Sequence, residues 1–153
     1  MTQLEAYSYF FPFIEDTGKD YQKFSLIYAR IAKNNEYIET YTADGLETTN
    51  YAKLGDFVVK NLQTHYQEEY IVSKEMFFQR YNFFYWHESG CVCIPTGKVK
   101  AAIYSGEETE FLAAWGRYMI LKPGDFIVTP LPDKNEVYRI AAQEFFETYE
   151  LIK

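Results

Sequence analysis

Aromatic and β-branched residues fall in short runs along the chain, and turn signals separate them every ten or so residues. That spacing predicts short strands joined locally in antiparallel hairpins. Residues 24–32 and 37–42 are strand-like, and Asp44 with Gly45 predicts the centre of a hairpin. Gly55 and Asp56 turn the chain into residues 57–60, a polar loop covers 61–67, and Tyr70, Ile71 and Val72 resume a strand. In the C-terminal half, residues 91–94, 99–104 and 126–128 are strand-like, with turns at 95–98 and at Pro123 and Gly124 and a proline-containing loop at 130–133. Residues 111–118 fit either a strand interrupted by Gly116 or a helical turn. Near the start, an aromatic run over 6–13 is stopped by Pro12.

Residues 73–81 follow a different period. Ser73 can cap a helix, Glu75 sits in the favoured first turn, and Phe77 and Tyr81 share a face four residues apart. Residues 143–149 predict a second short helix, with a weaker cap because Ala141 stands where Ser73 stood. The two helices belong to a repeat. Gly55, Asp56, Phe57, Val58 and Val59 return as Gly124, Asp125, Phe126, Ile127 and Val128, an offset of 69 residues; Glu68, Tyr70, Phe77, Phe78 and Tyr81 return as Glu136, Tyr138, Phe145, Phe146 and Tyr149, an offset of 68. One loop residue separates the two offsets, and two copies of one small unit explain both.

The predicted fold class is therefore α+β: two tandem antiparallel β-rich units, each ending in a short helix and packed with pseudo-twofold symmetry. The expected divisions are an aromatic N-terminal segment (1–19), a first unit (20–84) and a second unit (85–153). A chain of 153 residues can bury a core without metal or disulfide staples, although each unit alone would be marginal. Fifteen Tyr and thirteen Phe raise the apolar area available per residue.

A formal charge of −7, with no Lys/Arg cluster, argues against nucleic acid and anionic lipid as partners. No run approaches the roughly 20 apolar residues of a membrane span, and residues 1–5 lack the pattern of a secretory signal. A soluble, cytoplasmic protein is expected. Cys91 and Cys93 are too few for a disulfide framework. They point to one face of a strand near His87, with His65 as a conceivable fourth ligand, but Cys-x-Cys is tighter than a structural zinc pair, so core packing is the expectation. No metal and no cofactor are predicted.

The unit built on Pro123, Gly124, Asp125, Phe126, then Glu136 and Tyr138, then Phe145, Phe146 and Tyr149 resembles a small domain of unknown function from bacteria and their phages. The first copy departs from it, with Leu54 in place of the proline. The resemblance covers about the last third of each half and implies a fold and a phage-type accessory role, with no catalytic residue to carry over.

No nucleotide-loop, zinc-protease or serine-hydrolase motif is present. Gly55, Asp56, Gly124 and Asp125 are expected to fix matching turns. Glu68 and Glu136 occupy matching positions and are expected to pair across their hairpins. The functional expectation is a non-enzymatic binding or accessory protein taking a protein partner or a small ligand, because tyrosine offers rigid contact area with a polar tip. Tyr7 and Tyr9, in a segment without a counterpart in the repeat, could cap the first unit or form a partner surface. The alternative is an enzyme or nucleotide-type binder with a site between the units, where Glu68, Glu136, His65, His87 and Arg139 are the ionisable candidates.

Overall fold

The pairing of the strands carries the same two offsets as the sequence. In the computed structural model, which describes residues 1–153 except Asp44 and the side chains of Glu47 and Thr48, Phe57 lies opposite Val72 and Phe126 opposite Ile140. The strands are β1 (Lys19–Lys23), β2 (Ile27–Ile31), β3 (Tyr37–Thr42), β4 (Gly45–Tyr51), β5 (Phe57–Asn61), β6 (Glu69–Val72), β7 (Tyr81–His87), β8 (Gly90–Pro95), β9 (Lys98–Ile103), β10 (Thr109–Leu112), β11 (Tyr118–Leu121), β12 (Phe126–Leu131), β13 (Tyr138–Ile140) and β14 (Tyr149–Leu151). Three helices join them: α1 (Gln3–Thr17), α2 (Lys74–Arg80) and α3 (Ala142–Thr148). The fold is mixed α+β, strand-rich and antiparallel. The hairpin of β3 and β4 forms, but Asp44, the residue expected at its centre, lies outside the described residues.

Two five-stranded sheets share one order. One reads β6-β5-β2-β8-β7 and the other β13-β12-β9-β1-β14. Matching them position by position pairs β5 with β12 and β7 with β14, but it also pairs β8 with β1, which stand at opposite places in the chain. Read as two successive runs, β1–β7 and β8–β14, each run has its first strand in the sheet of the other. The compact units consequently fall at Lys23–Thr96, a continuous unit, and at Met1–Gln22 with Gly97–Lys153, a discontinuous one. These divisions differ from the expected 20–84 and 85–153 because sequence similarity marks the copies and not the exchanged strands.

Each short helix is held by the same ring cluster. Phe57 stacks on Phe77 at 4.1 Å, and Phe126 stacks on Phe145 at 3.7 Å. Tyr81 and Tyr149 continue the columns at 5.4 and 5.1 Å. Much of the aromatic surplus is thus spent on packing. Ser73 Oγ accepts from the Met76 N–H at the start of α2, whereas Ala141 gives α3 no side-chain cap, as the sequence predicts. Neither helix ends its unit, however: each passes straight into an outer strand, β7 or β14. One open reading is resolved and one expectation is corrected. The segment around 111–118 is the β10–β11 hairpin with a turn at Gly116, and Pro130 lies inside β12. β13 pairs only as far as Val128, so Pro130 sits where β12 has one neighbour and a missing N–H is tolerated.

The aromatic N-terminal segment is a helix. Thr2 and Glu5 form a reciprocal capping box, and Ala6, Phe10 and Ile14 repeat every four residues on the buried face. Pro12 lies on the exposed side, where its ring meets solvent. The helix covers Ala102, Phe111, Leu121, Ile127 and Val137 of the discontinuous unit. Among its described residues the continuous unit has no such helix. At the register of Ala102 it carries Arg30, opposite Val58 as Ala102 is opposite Ile127, and Arg30 forms a two-pronged bond to Glu36 at 2.9 and 2.5 Å. On that face Val58 and Ile71 pack with Ile38 of β3 instead of with a helix.

Candidate functional site

The repeated aspartates fix turns. Asp56 Oδ2 accepts from the Lys53 N–H and Asp125 Oδ2 from the Lys122 N–H, each at 2.9 Å. Gly55 and Gly124 adopt φ of +91° and +92°, a region that disfavours any side chain. The two copies then diverge. Asp125 also receives Arg139 Nε at 3.0 Å in a buried ion pair, while the position matching Arg139 is Ile71, in the apolar cluster under the β3–β4 hairpin. Arg139 therefore acts on the turn of its own unit.

Glu68 and Glu136 differ as well. Glu68 is buried, with one carboxylate oxygen receiving Asn61 Nδ2 at 2.7 Å and the other receiving Thr64 Oγ1 at 2.5 Å. Pro130 replaces Asn61 in the second copy, so this arrangement cannot recur, and the carbonyl of Glu136 instead accepts from Thr129 Oγ1. The histidines are apart. His65 follows β5 near one outer strand of the continuous unit, and His87 ends β7, the outer strand on the other side and at the opposite end. Both are exposed, and His65 stands edge-on to Tyr66. Of the five ionisable candidates, Glu68, His65 and His87 belong to the continuous unit and Glu136 and Arg139 to the discontinuous one.

Cys91 and Cys93 are buried side by side, with Sγ atoms 3.3 Å apart on the face packed beneath α2. Burial, then the bond to Cys91, pushes the Cys93 thiol up to about 12, so it stays protonated. His87 points to the opposite face beside Tyr28. Among the described residues no group of three or more His, Cys, Asp and Glu is placed to hold a metal ion. Tyr7 stacks on Phe11 and donates to the Lys134 carbonyl at 2.7 Å, while Tyr9 is exposed. The segment thus packs on the unit of residues 97–153.

Three features escaped the sequence reading. Lys23 Nζ reaches the Tyr70 hydroxyl at 3.2 Å and lies over the rings of Tyr70 and Tyr81, whose hydroxyls meet at 2.8 Å. Burial, first, raises the Tyr81 phenol well above its usual range. An open groove of about 360 Å³ in the discontinuous unit is lined by Phe13, Thr17, Lys19, Tyr21, Ile103 and Ser105.

The third feature is β7. It is an outer strand whose residues 82–87 are all exposed and carry no formal charge, with Phe83, Phe84, Tyr85 and Trp86 in succession. The sequence reading divided this run, assigning Tyr81 to a helix and opening a new unit near Tyr85. The seven uncharged residues between Arg80 and Glu88 were the available signal. No helix among the described residues is long and apolar enough to cross a membrane, which does not bear on strands. No family model, no curated protein and no solved structure matches the chain.

Proposed function

We propose that this chain is a non-enzymatic binding protein that takes up an extended segment of a protein partner along the free edge of β7. One observation carries this reading. Proteins blunt outer strands with charge, proline or short length, yet β7 runs for seven residues with none of these and exposes aromatic rings on both faces. Among the described residues every other outer strand is shorter or includes a glutamate in its sequence: β6 has Glu69, β14 has Glu150, β3 has Glu39, β4 has Glu47, and β10, β11 and β13 have four, four and three residues. An added strand would gain main-chain hydrogen bonds from the edge and contact area from the rings.

The rival reading, an enzyme or nucleotide-type binder, finds little support in its candidates. Both oxygens of Glu68 are engaged by neighbouring side chains, Arg139 is engaged by Asp125, and the histidines stand at opposite sides of one sheet. Descent of the two units from one duplicated ancestor, with a pseudo-twofold relation, belongs to the same proposal and is supported by the shared strand order. A cytoplasmic, phage-type accessory setting rests on composition and on the motif resemblance alone.

The test is a titration of the protein with an extended peptide of alternating valine and threonine, flanked by lysines for solubility. Binding that weakens at least about tenfold in Trp86→Lys, with an unchanged circular dichroism spectrum, is expected, since a charge on an edge strand opposes pairing. Equal affinity for both proteins would remove β7 from the site.

A further inference from the structure

The geometry of β7 points to a second copy of this chain as its occupant, an inference that rests on the reading of β7 as a binding edge. The bulge between Phe83 and Tyr85 rearranges the faces of the strand. Phe83 lies opposite Cys93 and Trp86 opposite Cys91, so their side chains share the α2 face, and their rings meet at 5.1 Å. Asn82, Tyr85 and His87 take the other face, and Phe84 joins them, with its ring 5.1 Å from that of Tyr85.

Over residues 82–87 the sequence of faces is therefore other, α2, other, other, α2, other, which reads the same in both directions. Two copies of β7 placed antiparallel about a twofold axis between Phe84 and Tyr85 set Asn82 opposite His87, Phe83 opposite Trp86 and Phe84 opposite Tyr85. Every opposed pair then shares a face, as an antiparallel ladder requires. Without the bulge, strict alternation would place opposed residues of this register on different faces.

Charge and area limit how strong this pairing is. The chain carries a formal −7, so two copies repel over most of their surfaces, and an uncharged strand is where that repulsion is least opposed to contact. Phe83, Phe84, Tyr85 and Trp86 are 54, 53, 48 and 75 % exposed. At about 200 Å² for a whole aromatic side chain, they offer about 450 Å² per copy. Two copies together fall below the roughly 1,200 Å² of a stable interface, so the pair is a weak, closed dimer.

Sedimentation velocity on the full chain from about 5 µM to about 1 mM reads this directly. The expected result is a monomer that shifts to a dimer and no further, with the shift lost in Trp86→Lys and retained in Leu4→Lys, an exposed change in α1 that adds the same charge. A monomer at every concentration, an open series of larger species, or a dimer untouched by Trp86→Lys would overturn the inference. If the chain stays monomeric yet binds the valine–threonine peptide through β7, self-pairing fails and the binding reading stands. If neither occurs, both fail.

Discussion

Replacing Asp125 by Ala and Asp56 by Ala tests whether a repeated residue has come to do two different jobs. In Asp56→Ala the continuous unit loses one side-chain acceptor, the 2.9 Å bond to the Lys53 N–H, at a turn that water can reach. A bond of that kind contributes about 1 kcal/mol. In Asp125→Ala the equivalent bond to Lys122 goes, and the buried Arg139 loses the Asp125 carboxylate. Removing one partner of a buried ion pair costs about 3–5 kcal/mol.

The expected totals are thus about 1 kcal/mol for Asp56→Ala and about 4 kcal/mol or more for Asp125→Ala, against a usual domain stability of about 5–15 kcal/mol. Urea unfolding followed at the backbone amides of Val59 and Ile127 assigns each loss to its own unit. Adding Arg139→Leu to Asp125→Ala should recover a large part of the deficit, since removing both charges removes the desolvation penalty. Equal costs for the two aspartates, or no recovery in the double variant, would refute the assignment of Asp125 and Arg139 to a structural pair.

Two further outcomes follow from the same structure. A fragment of residues 23–96 contains all five strands of its sheet and should give a dispersed amide spectrum, whereas residues 20–84 lack β8 and should not fold; the reverse would show that the exchanged strands are misassigned. Glu36 is held down at about 2, chiefly by the Arg30 guanidinium and then by the Lys33 N–H. A depressed carboxyl contributes stability above its unfolded value of about 4.3, lost as pH falls towards about 2. With solvent screening, Glu36→Gln should cost about 1 kcal/mol near pH 7 and nothing near pH 2. A pH-independent difference in urea midpoint would contradict this.

Local signals explain what the sequence revealed. The cap at Ser73, the weak cap at Ala141, the turns at Gly55 and Gly124 and the one-residue change of offset all involve residues close in the chain or directly repeated. The structure bears out their placement. The exchange of β1 and β8 was hidden because strand pairing over some 70 residues leaves no mark on either strand's own pattern. Pro12 masked α1, although Thr2, Glu5 and the four-residue spacing of Ala6, Phe10 and Ile14 pointed to it. Arg139 was read as an ionisable candidate for a site between the units because the repeat, which matches it with Ile71, gives no clue that it pairs with Asp125. For β7 the run of rings was visible, but exposure of both faces depends on its outer position, which only the sheet order determines.

The most direct measurement of the proposed function is amide hydrogen exchange across residues 82–87, with and without the valine–threonine peptide. Main-chain pairing at the free edge predicts that the outward-facing amides of β7 slow by at least about tenfold, while the amides of the outer strand β6 are unchanged. Bound peptide with β7 exchange unaltered would contradict the account.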